Sequence, residues 1–145
     1  MGRVTRFEMT LALAEQMITA ARMSAHSQDI AVSIAVVDAG GHLVSFARMD
    51  GAEIAGPTLA PDKAFTAVAH RIATGELTAL TAPGGELAGM NAAAGGRYIA
   101  FPGGLPCWDG DRVIGAIGVS GGSAAQDQAC AQAGLTVYLQ AQQEL

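Results

Sequence analysis

Residues 105–122 read LPCWDGDRVIGAIGVSGG, and this stretch decides the fold. Asp109 and Gly110 separate two apolar runs, and an Asp-Gly pair in that position is a strong sequence signal for a tight β-hairpin. Gly115 and Gly118 lie inside the second predicted strand, where a glycine costs stability. Such glycines are typical of places where another backbone, a side chain or a ligand approaches closely. We therefore expect this hairpin to have space beside it.

The N-terminal half of the chain predicts a helix followed by a second hairpin. Apolar residues recur at helical spacing over 7–26, and Thr5 with Glu8 forms a possible capping box at the start. Residues 30–37 predict a strand that is buried on most of its length. A turn of small residues then leads into a second strand at 42–48.

The rest of the chain predicts further helices and strands. Pro61 fits the first turn of a helix that runs to about residue 70, and residues 74–80 predict a short helix. A short strand is expected at 98–101, before the Asp-Gly hairpin. Ser123 then caps a final helix that reaches toward Gln143.

The order of these elements predicts the fold class. Tight hairpins imply antiparallel pairing, because a parallel pair needs a crossover of about a dozen residues or more. Helices at both ends and in the middle of the chain cover both faces of a sheet. The sequence therefore predicts an α/β (α+β) fold, a three-layer α-β-α sandwich around an antiparallel sheet of about five strands. We expect one domain spanning residues 1–145.

The composition argues against several kinds of partner. Only 14% of the residues are charged and the net charge is −5, so a basic stripe for nucleic acid is not expected. The longest apolar run, residues 30–37, is far too short to cross a membrane. The N-terminus lacks the apolar centre of a secretory signal, so we expect a cytoplasmic protein. The low charge and the 19 glycines favour a homo-oligomer.

Four segments of the chain resemble one known family. They are residues 35–52 (AVVDAGGHLVSFARMDGA), 63–67 (KAFTA), 103–106 (GGLP) and 109–122 (DGDRVIGAIGVSGG). In this order and spacing they are similar to the GlcG/HbpS-like haem-binding family, which includes the C-terminal domain of PduO. The resemblance implies a profilin-like α-β-α sandwich that assembles into dimers and octamers. It also implies that the bound group is a small molecule or haem.

Three candidate site residues share one face of the central predicted helix, namely Lys63, Thr66 and His70. Lys63 and His70 are candidate catalytic residues, because an amine and an imidazole can transfer protons, and His70 is also a candidate haem ligand. Thr66 is a candidate ligand-binding residue through its hydroxyl group. The structural alternative is that Lys63 and His70 lie on a partly solvated face and that Thr66 contributes to packing.

The other candidate ligand-binding residues lie outside this helix. Arg48 either contacts a ligand or fixes the first hairpin by hydrogen bonds. Phe101 and the Gly103-Gly104 corner are expected to border the cavity. Trp108 either stacks on a planar ligand or packs at a subunit interface. A metal site is not expected, because the three histidines are scattered and lack acidic or thiolate partners at short spacing.

The two cysteines, Cys107 and Cys130, are too few for a disulfide framework. Cys107 has no basic neighbour in sequence that would lower its pKa, and the nearby Asp109 would raise it. We therefore expect Cys107 to line the core or the pocket and not to act as a nucleophile.

Two classes of function are consistent with these residues. In the first, the protein binds a small molecule or haem in a pocket between the central helix and the glycine-rich strands. In the alternative, it is a cofactor-independent isomerase, cyclase or lyase acting on a small organic acid or an aromatic metabolite. Lys63 or His70 would then transfer protons, and glycine backbone amides would stabilise a developing oxyanion. The sequence leaves open whether the protein is an enzyme.

Overall fold

The computed structural model describes residues 2–144, which form a sheet of four strands and four α-helices. Short 3₁₀ turns lie in the long connection before the third strand, at Thr74–Glu76, Met90–Ala92 and Ala94–Gly96. The order of the main elements is α1 (Leu11–Ser27), β1 (Ser33–Asp38), β2 (Leu43–Arg48), α2 (Gly56–His70), α3 (Leu77–Thr81), β3 (Gly104–Asp109), β4 (Arg112–Ser120) and α4 (Ala124–Gln143).

The four strands form one antiparallel sheet in the order β2-β1-β4-β3. In the central strand β1, Ser33 is paired with Arg48 of β2 on one side and with Ser120 of β4 on the other. The predicted Asp-Gly hairpin is confirmed as β3 and β4, with Asp109 opposite Arg112 across the turn. β2 and β3 are therefore the two edges of the sheet.

The predicted fifth strand, at residues 98–101, is wrong. The backbone groups of this segment form hydrogen bonds with threonine side chains instead of with a neighbouring strand. The amide of Ile99 donates to Thr66 Oγ1 at 3.0 Å, and the carbonyl of Phe101 accepts from Thr74 Oγ1 at 2.7 Å. The segment is thus a loop fastened to the helices, and the sheet has four strands within the described residues.

The three-layer α-β-α sandwich is confirmed, with alternate residues of β1 facing opposite layers. Ile34 and Val36 pack into the main core with α1 and α4, together with Met17 and the buried Tyr138. On the other face, Val37 packs with Ala64, Ala67, Val68 and Ala116, so α2 covers this side of the sheet. Its interface with the sheet is made of small residues, which bring the helix axis close to the strands.

The glycines of β4 and β3 accommodate the backbone of α2. A Cβ at Gly118 would collide with the carbonyl of Ala60 and would lie 2.6 Å from the amide nitrogen of Ala64. A Cβ at Gly104 would lie 2.5 Å from the carbonyl of Lys63. The helix backbone therefore occupies the space that we expected beside these glycines, and a ligand pocket between α2 and the glycine-rich strands does not fit there.

Two helix starts differ from the predictions. α1 begins at Leu11, because Thr10 caps it by accepting from the Leu13 amide at 3.1 Å, so the capping box predicted at residues 5–8 is wrong. α2 begins at Gly56, and Pro61 lies inside the helix instead of in its first turn. None of the helices within residues 2–144 is long and apolar enough to cross a membrane.

Candidate functional site

Lys63 lies in the interior, under the loop that leads into β3. Its side chain is fully buried, and Nζ donates to the Val119 carbonyl at 2.8 Å and to Asp127 Oδ2 at 3.0 Å. The centroid of the Phe101 ring lies 5.0 Å from the same nitrogen. Burial lowers the pKa of Lys63, and the Asp127 carboxylate opposes that shift. The amine therefore joins α2 to the end of β4 and to α4, and it is not presented to a ligand.

Asp127 completes this buried pair from the first turn of α4. Its second oxygen, Oδ1, accepts from the Gly122 amide at 2.8 Å. The predicted cap of α4 is confirmed beside it: the Ser123 amide donates to Gln126 Oε1 at 2.9 Å, and the Gln126 amide donates to Ser123 Oγ at 3.2 Å. The corner after β4 is therefore held by side chains of the protein itself.

The two other candidates on the helix face are also covered. Thr66 Oγ1 donates to the Asp62 carbonyl at 2.7 Å and accepts from the Ile99 amide at 3.0 Å, so its hydroxyl is used to hold the loop. The ring of His70 meets the ring of Tyr98 edge-on at 4.4 Å between centroids. His70 Nε2 is buried and lacks a hydrogen-bond partner among residues 2–144. An iron ion could reach this nitrogen only if the packing around it changed.

A column of rings continues from His70 across the outer face of α2. Tyr98 stacks on Phe65 with centroids 5.9 Å apart and ring planes at 9°. The guanidinium carbon of Arg97 lies 3.7 Å from the Phe65 centroid, and Arg97 Nε pairs with Asp62 Oδ1 at 3.1 Å. His70 is thus one end of a packed surface column.

The predicted ligand-binding residues do not form one site. Arg48 and Trp108 belong to β2 and β3, which are opposite edges of the sheet. Gly103 and Gly104 are buried beneath the loop, where a Cβ at Gly103 would lie 2.8 Å from Lys63 Nζ. Phe101 is 45% exposed and covers Lys63 from outside. These separations follow from the strand order, which a local sequence pattern does not contain.

Cys107 lies in the interior, as expected, and Cys130 is buried as well. Cys107 and Cys130 are both free and buried. Burial raises the pKa of the Cys107 thiol to about 12, and it also raises the pKa of Cys130. Both thiols are therefore protonated near neutral pH and shielded from solvent, which is the opposite of what a nucleophile needs.

A cleft opens between the last turns of α1 and the end of β2. Its volume is about 370 Å³, and a groove of about 500 Å³ adjoins it along α1. We name the two together the α1–β2 cleft. Its lining combines cationic, imidazole, thioether and carboxylate side chains. These side chains belong to Arg22, Met23, His26, Arg48, Met49 and Asp50.

Backbone hydrogen bonds fix both walls of the α1–β2 cleft. Asp29 takes a left-handed conformation with φ of 57°, and the Ile30 amide donates to the Ala25 carbonyl at 3.0 Å, so α1 ends just after His26. On the other wall, the Met49 amide donates to the Val32 carbonyl at 3.0 Å, and Met49 Sδ accepts from the Val32 amide at 3.4 Å. The cleft is therefore built on ordered elements.

The α1–β2 cleft carries two arginines whose ion-pair partners can be sought among residues 2–144. The salt bridges among residues 2–144 are Lys63–Asp127 and Arg97–Asp62, so Arg22, Arg48 and Asp50 have no ion-pair partner within that range. The whole chain has a net charge of −5. Two unpaired guanidinium groups on opposite walls of one cleft are therefore available to an anionic ligand.

The cleft residues have a chemistry that suits an amphipathic ligand. A guanidinium group binds carboxylates with two parallel hydrogen bonds, and imidazole and thioether groups are ligands for iron. Arg48 is the one predicted site residue that lines this cleft, while Arg22, Met23, His26 and Met49 were not predicted. The signal that was missed is the spacing of Arg22 and His26, which are four residues apart and share one helix face.

Comparison with known proteins places this architecture in a family. A family model described as "Haem degrading protein HbpS-like" matches residues 9–136. The chain is 37% identical over 130 residues to a protein of Citrobacter freundii, the uncharacterized 15.0 kDa protein in the dhaT-dhaS intergenic region. That match covers 90% of this chain and 92% of the relative.

Solved structures agree with the sequence match. The structure of Klebsiella pneumoniae protein ORFY superposes with a TM-score of 0.90 at 37% identity, covering 96% of this chain and 97% of that one. A PduOC:heme complex superposes with a TM-score of 0.87 at 34% identity, covering 90% of this chain and 95% of that one. The resemblance to GlcG/HbpS-like proteins is thus confirmed: this chain belongs to the HbpS-like family.

Proposed function

We propose that this protein binds haem in the α1–β2 cleft. The observation that carries the proposal is the combination of an exposed imidazole with two unpaired guanidinium groups around one open cleft, contributed by His26, Arg22 and Arg48. The family description supports a haem ligand, as does the heme complex of the related PduOC.

The residues of the cleft fit the parts of a haem molecule. His26 lies on the last turn of α1 and would hold the iron, as histidine does in many haem proteins. Arg22 and Arg48 would hold the propionates, while Met23 and Met49 provide polarizable apolar contact for the ring. Bound haem would supply an iron centre for redox or oxygen chemistry.

The sequence offered a different candidate iron ligand, His70, and a pocket between the central helix and the sheet. His70 Nε2 is covered and packed against Tyr98, whereas the side chain of His26 is exposed on the wall of the cleft. Moving the iron ligand from α2 to α1 requires no rearrangement of the fold. We therefore assign His26 the role that the helix-face spacing suggested for His70.

The alternative of a cofactor-independent isomerase, cyclase or lyase is not favoured by the geometry. That reaction needs Lys63 or His70 beside a substrate, with access for a proton to move. Lys63 Nζ already has two acceptors and an aromatic cover, and His70 Nε2 is enclosed. The homo-oligomeric state, the cytoplasmic location and the single domain remain predictions from the sequence.

A haemin titration of the purified protein with two matched histidine variants tests the proposal. We expect a stoichiometric shift of the Soret band for the wild type and for His70→Ala, because His70 lies outside the cleft. His26→Ala should weaken binding about tenfold or more and change the band position, because the iron loses its nitrogen ligand.

The reverse pattern, with His70→Ala deficient and His26→Ala normal, would place the site on α2 and contradict the assignment. A protein that gives no saturable shift would overturn the haem-binding function itself. Circular dichroism of all three proteins would show that each variant is folded.

A further inference from the structure

We infer that the α1–β2 cleft recognises its ligand by two carboxylates, so that iron-free tetrapyrrole dicarboxylates are a further class of ligand for this protein. The inference rests on the proposed function, because it concerns the same cleft. It differs in substance, since it assigns the main recognition to the two arginines and not to the iron-ligating histidine.

The first argument is the distribution of charge. Arg22 and Arg48 come from different elements, the helix α1 and the edge strand β2, and they meet across one cleft. Both are exposed, and neither has an ion-pair partner among residues 2–144. In a chain with a net charge of −5, an unpaired pair of guanidinium groups is a local excess of positive charge. Such a pair matches a ligand with two separate carboxylates, because each fork can bind one of them in bidentate fashion.

The second argument is the apolar part of the lining. Met23 is 66% exposed along the groove beside α1, where its thioether is free to contact a flat ring. Met49 Sδ already accepts from the Val32 amide at 3.4 Å, so its sulfur is engaged with the protein. The thioether of Met49 therefore acts as a wall for the ring and is not free for iron. A planar apolar body with two carboxylates satisfies this lining whether or not it carries a metal.

Asp50 limits the number of carboxylates that the cleft accepts. It lines the same cleft, and its carboxylate has no ion-pair partner among residues 2–144. The two guanidinium groups and this one carboxylate leave a small positive excess among the charged side chains of the lining. A ligand with two carboxylates offers one carboxylate to each guanidinium group, whereas further carboxylates would meet the charge of Asp50. We therefore expect protoporphyrin IX to bind better than coproporphyrin, which has four carboxylates.

The experiment measures binding of iron-free protoporphyrin IX by fluorescence, beside haemin binding by absorbance. Arg22→Gln and Arg48→Gln should each weaken protoporphyrin binding about tenfold, as expected when a charge-assisted hydrogen-bond pair is lost. Protoporphyrin IX dimethyl ester, which has no free carboxylates, should bind the wild type at least as weakly as protoporphyrin IX binds the arginine variants. His26→Ala should change the affinity for protoporphyrin by no more than about twofold, because protoporphyrin has no iron for His26 to ligate. The same variant should weaken the binding of haemin.

Arg112→Gln is the matched control, because Arg112 is an exposed arginine at the start of β4 and outside the cleft. It removes the same charge and should leave both affinities unchanged. Asp50→Asn should narrow the preference for protoporphyrin over coproporphyrin, because the repelling carboxylate is gone.

The outcomes separate the two proposals. Haemin that binds in a His26-dependent way, together with protoporphyrin that does not bind, would overturn this inference and leave the proposed function standing. Arginine variants that bind protoporphyrin like the wild type would also overturn it. Protoporphyrin binding that needs the arginines, without any haemin binding, would keep the dicarboxylate site and refute the haem function.

Discussion

At the scale of single residues, Lys63 shows what a sequence pattern can and cannot predict. Its place on one helix face with Thr66 and His70 was visible, and that face suggested proton transfer. Its partner Asp127 is 64 positions away on another helix, so the residues near Lys63 in the sequence do not predict a buried ion pair. The role of such a residue depends on what the fold brings to it, and here the fold encloses it.

Loss of one member of the buried pair should destabilise the protein strongly. Lys63→Met leaves the Asp127 carboxylate buried without its counter-ion, and this should lower the free energy of unfolding by about 3 kcal/mol or more. Urea unfolding monitored by circular dichroism measures the effect. The double variant Lys63→Met, Asp127→Leu should be less destabilised than the sum of its single changes, because no charge is left unpaired.

The exposed pair between Arg97 and Asp62 provides the control for that prediction. Arg97 has a side-chain exposure of 46%, so Arg97→Gln should cost less than about 1 kcal/mol. Equal losses for Lys63→Met and Arg97→Gln would contradict the structural role of the buried pair.

Cys107 should make the free energy of unfolding depend on pH in the alkaline range. Its pKa is raised by burial from 9.0 to about 12, so the unfolded chain releases this proton at lower pH than the folded chain does. The folded state then binds more protons, and the free energy of unfolding should fall as the pH rises from about 9 to about 12. Cys107→Ala should flatten that slope, which unfolding curves at several pH values would measure. An equal slope in both proteins would contradict the assignment.

At the scale of elements, the sequence predicted correctly those features that are formed by hydrogen bonds between residues close in sequence. The Asp-Gly hairpin and the Ser123 cap of α4 were predicted, because the residues that make each of them are neighbours in sequence. The supposed strand at 98–101 was wrong, because hydroxyl groups of Thr66 and Thr74, more than twenty residues earlier, take its backbone groups. The pattern of the segment was strand-like, but tertiary partners decided its state.

Gly118→Ala should disturb the packing of α2 on the sheet. The added Cβ would collide with the carbonyl of Ala60, so the helix must shift, and we expect a loss of about 2–3 kcal/mol in the free energy of unfolding. Gly110→Ala is the comparison, because its Cβ would meet open space and its positive φ of 60° should cost only about 1 kcal/mol. Thermal unfolding of both variants measures the difference, and a larger loss for Gly110→Ala would refute the close contact.

At the scale of the whole molecule, the fold could be predicted, whereas the cleft that we propose as the site could not. Antiparallel hairpins and flanking helices were enough for the three-layer sandwich. The α1–β2 cleft needs Arg22 and His26 from the first helix beside Arg48 from the second strand, and only the path of the chain brings them together. Arg48 was a candidate from its own sequence context, whereas the one local signal for its neighbours on α1 was the helical spacing of Arg22 and His26.

Assembly is also a property of the whole molecule, and here the sequence expectation stays a prediction. The surface shows large apolar side chains, among them Ile54 at 94% exposure and Trp108 at 40%. Ile54 lies in the loop between β2 and α2, and Trp108 lies on the edge strand β3, so apolar surface is exposed at both places. This is consistent with a homo-oligomer between dimer and octamer, for which sedimentation is the direct measurement.

The close contact between α2 and the glycines of the sheet restricts how the sequence of this protein can evolve. At Gly104 and Gly118, no larger residue can be accepted unless the helix moves first. The helix cannot move alone either, since Lys63 ties it to two other elements. Substitutions at the contact between α2 and the glycines of β3 and β4 must therefore occur together. The exposed residues that line the α1–β2 cleft can be substituted one at a time. Descendants of this chain should therefore vary in the residues that line the cleft long before they vary in the contact between α2 and the sheet.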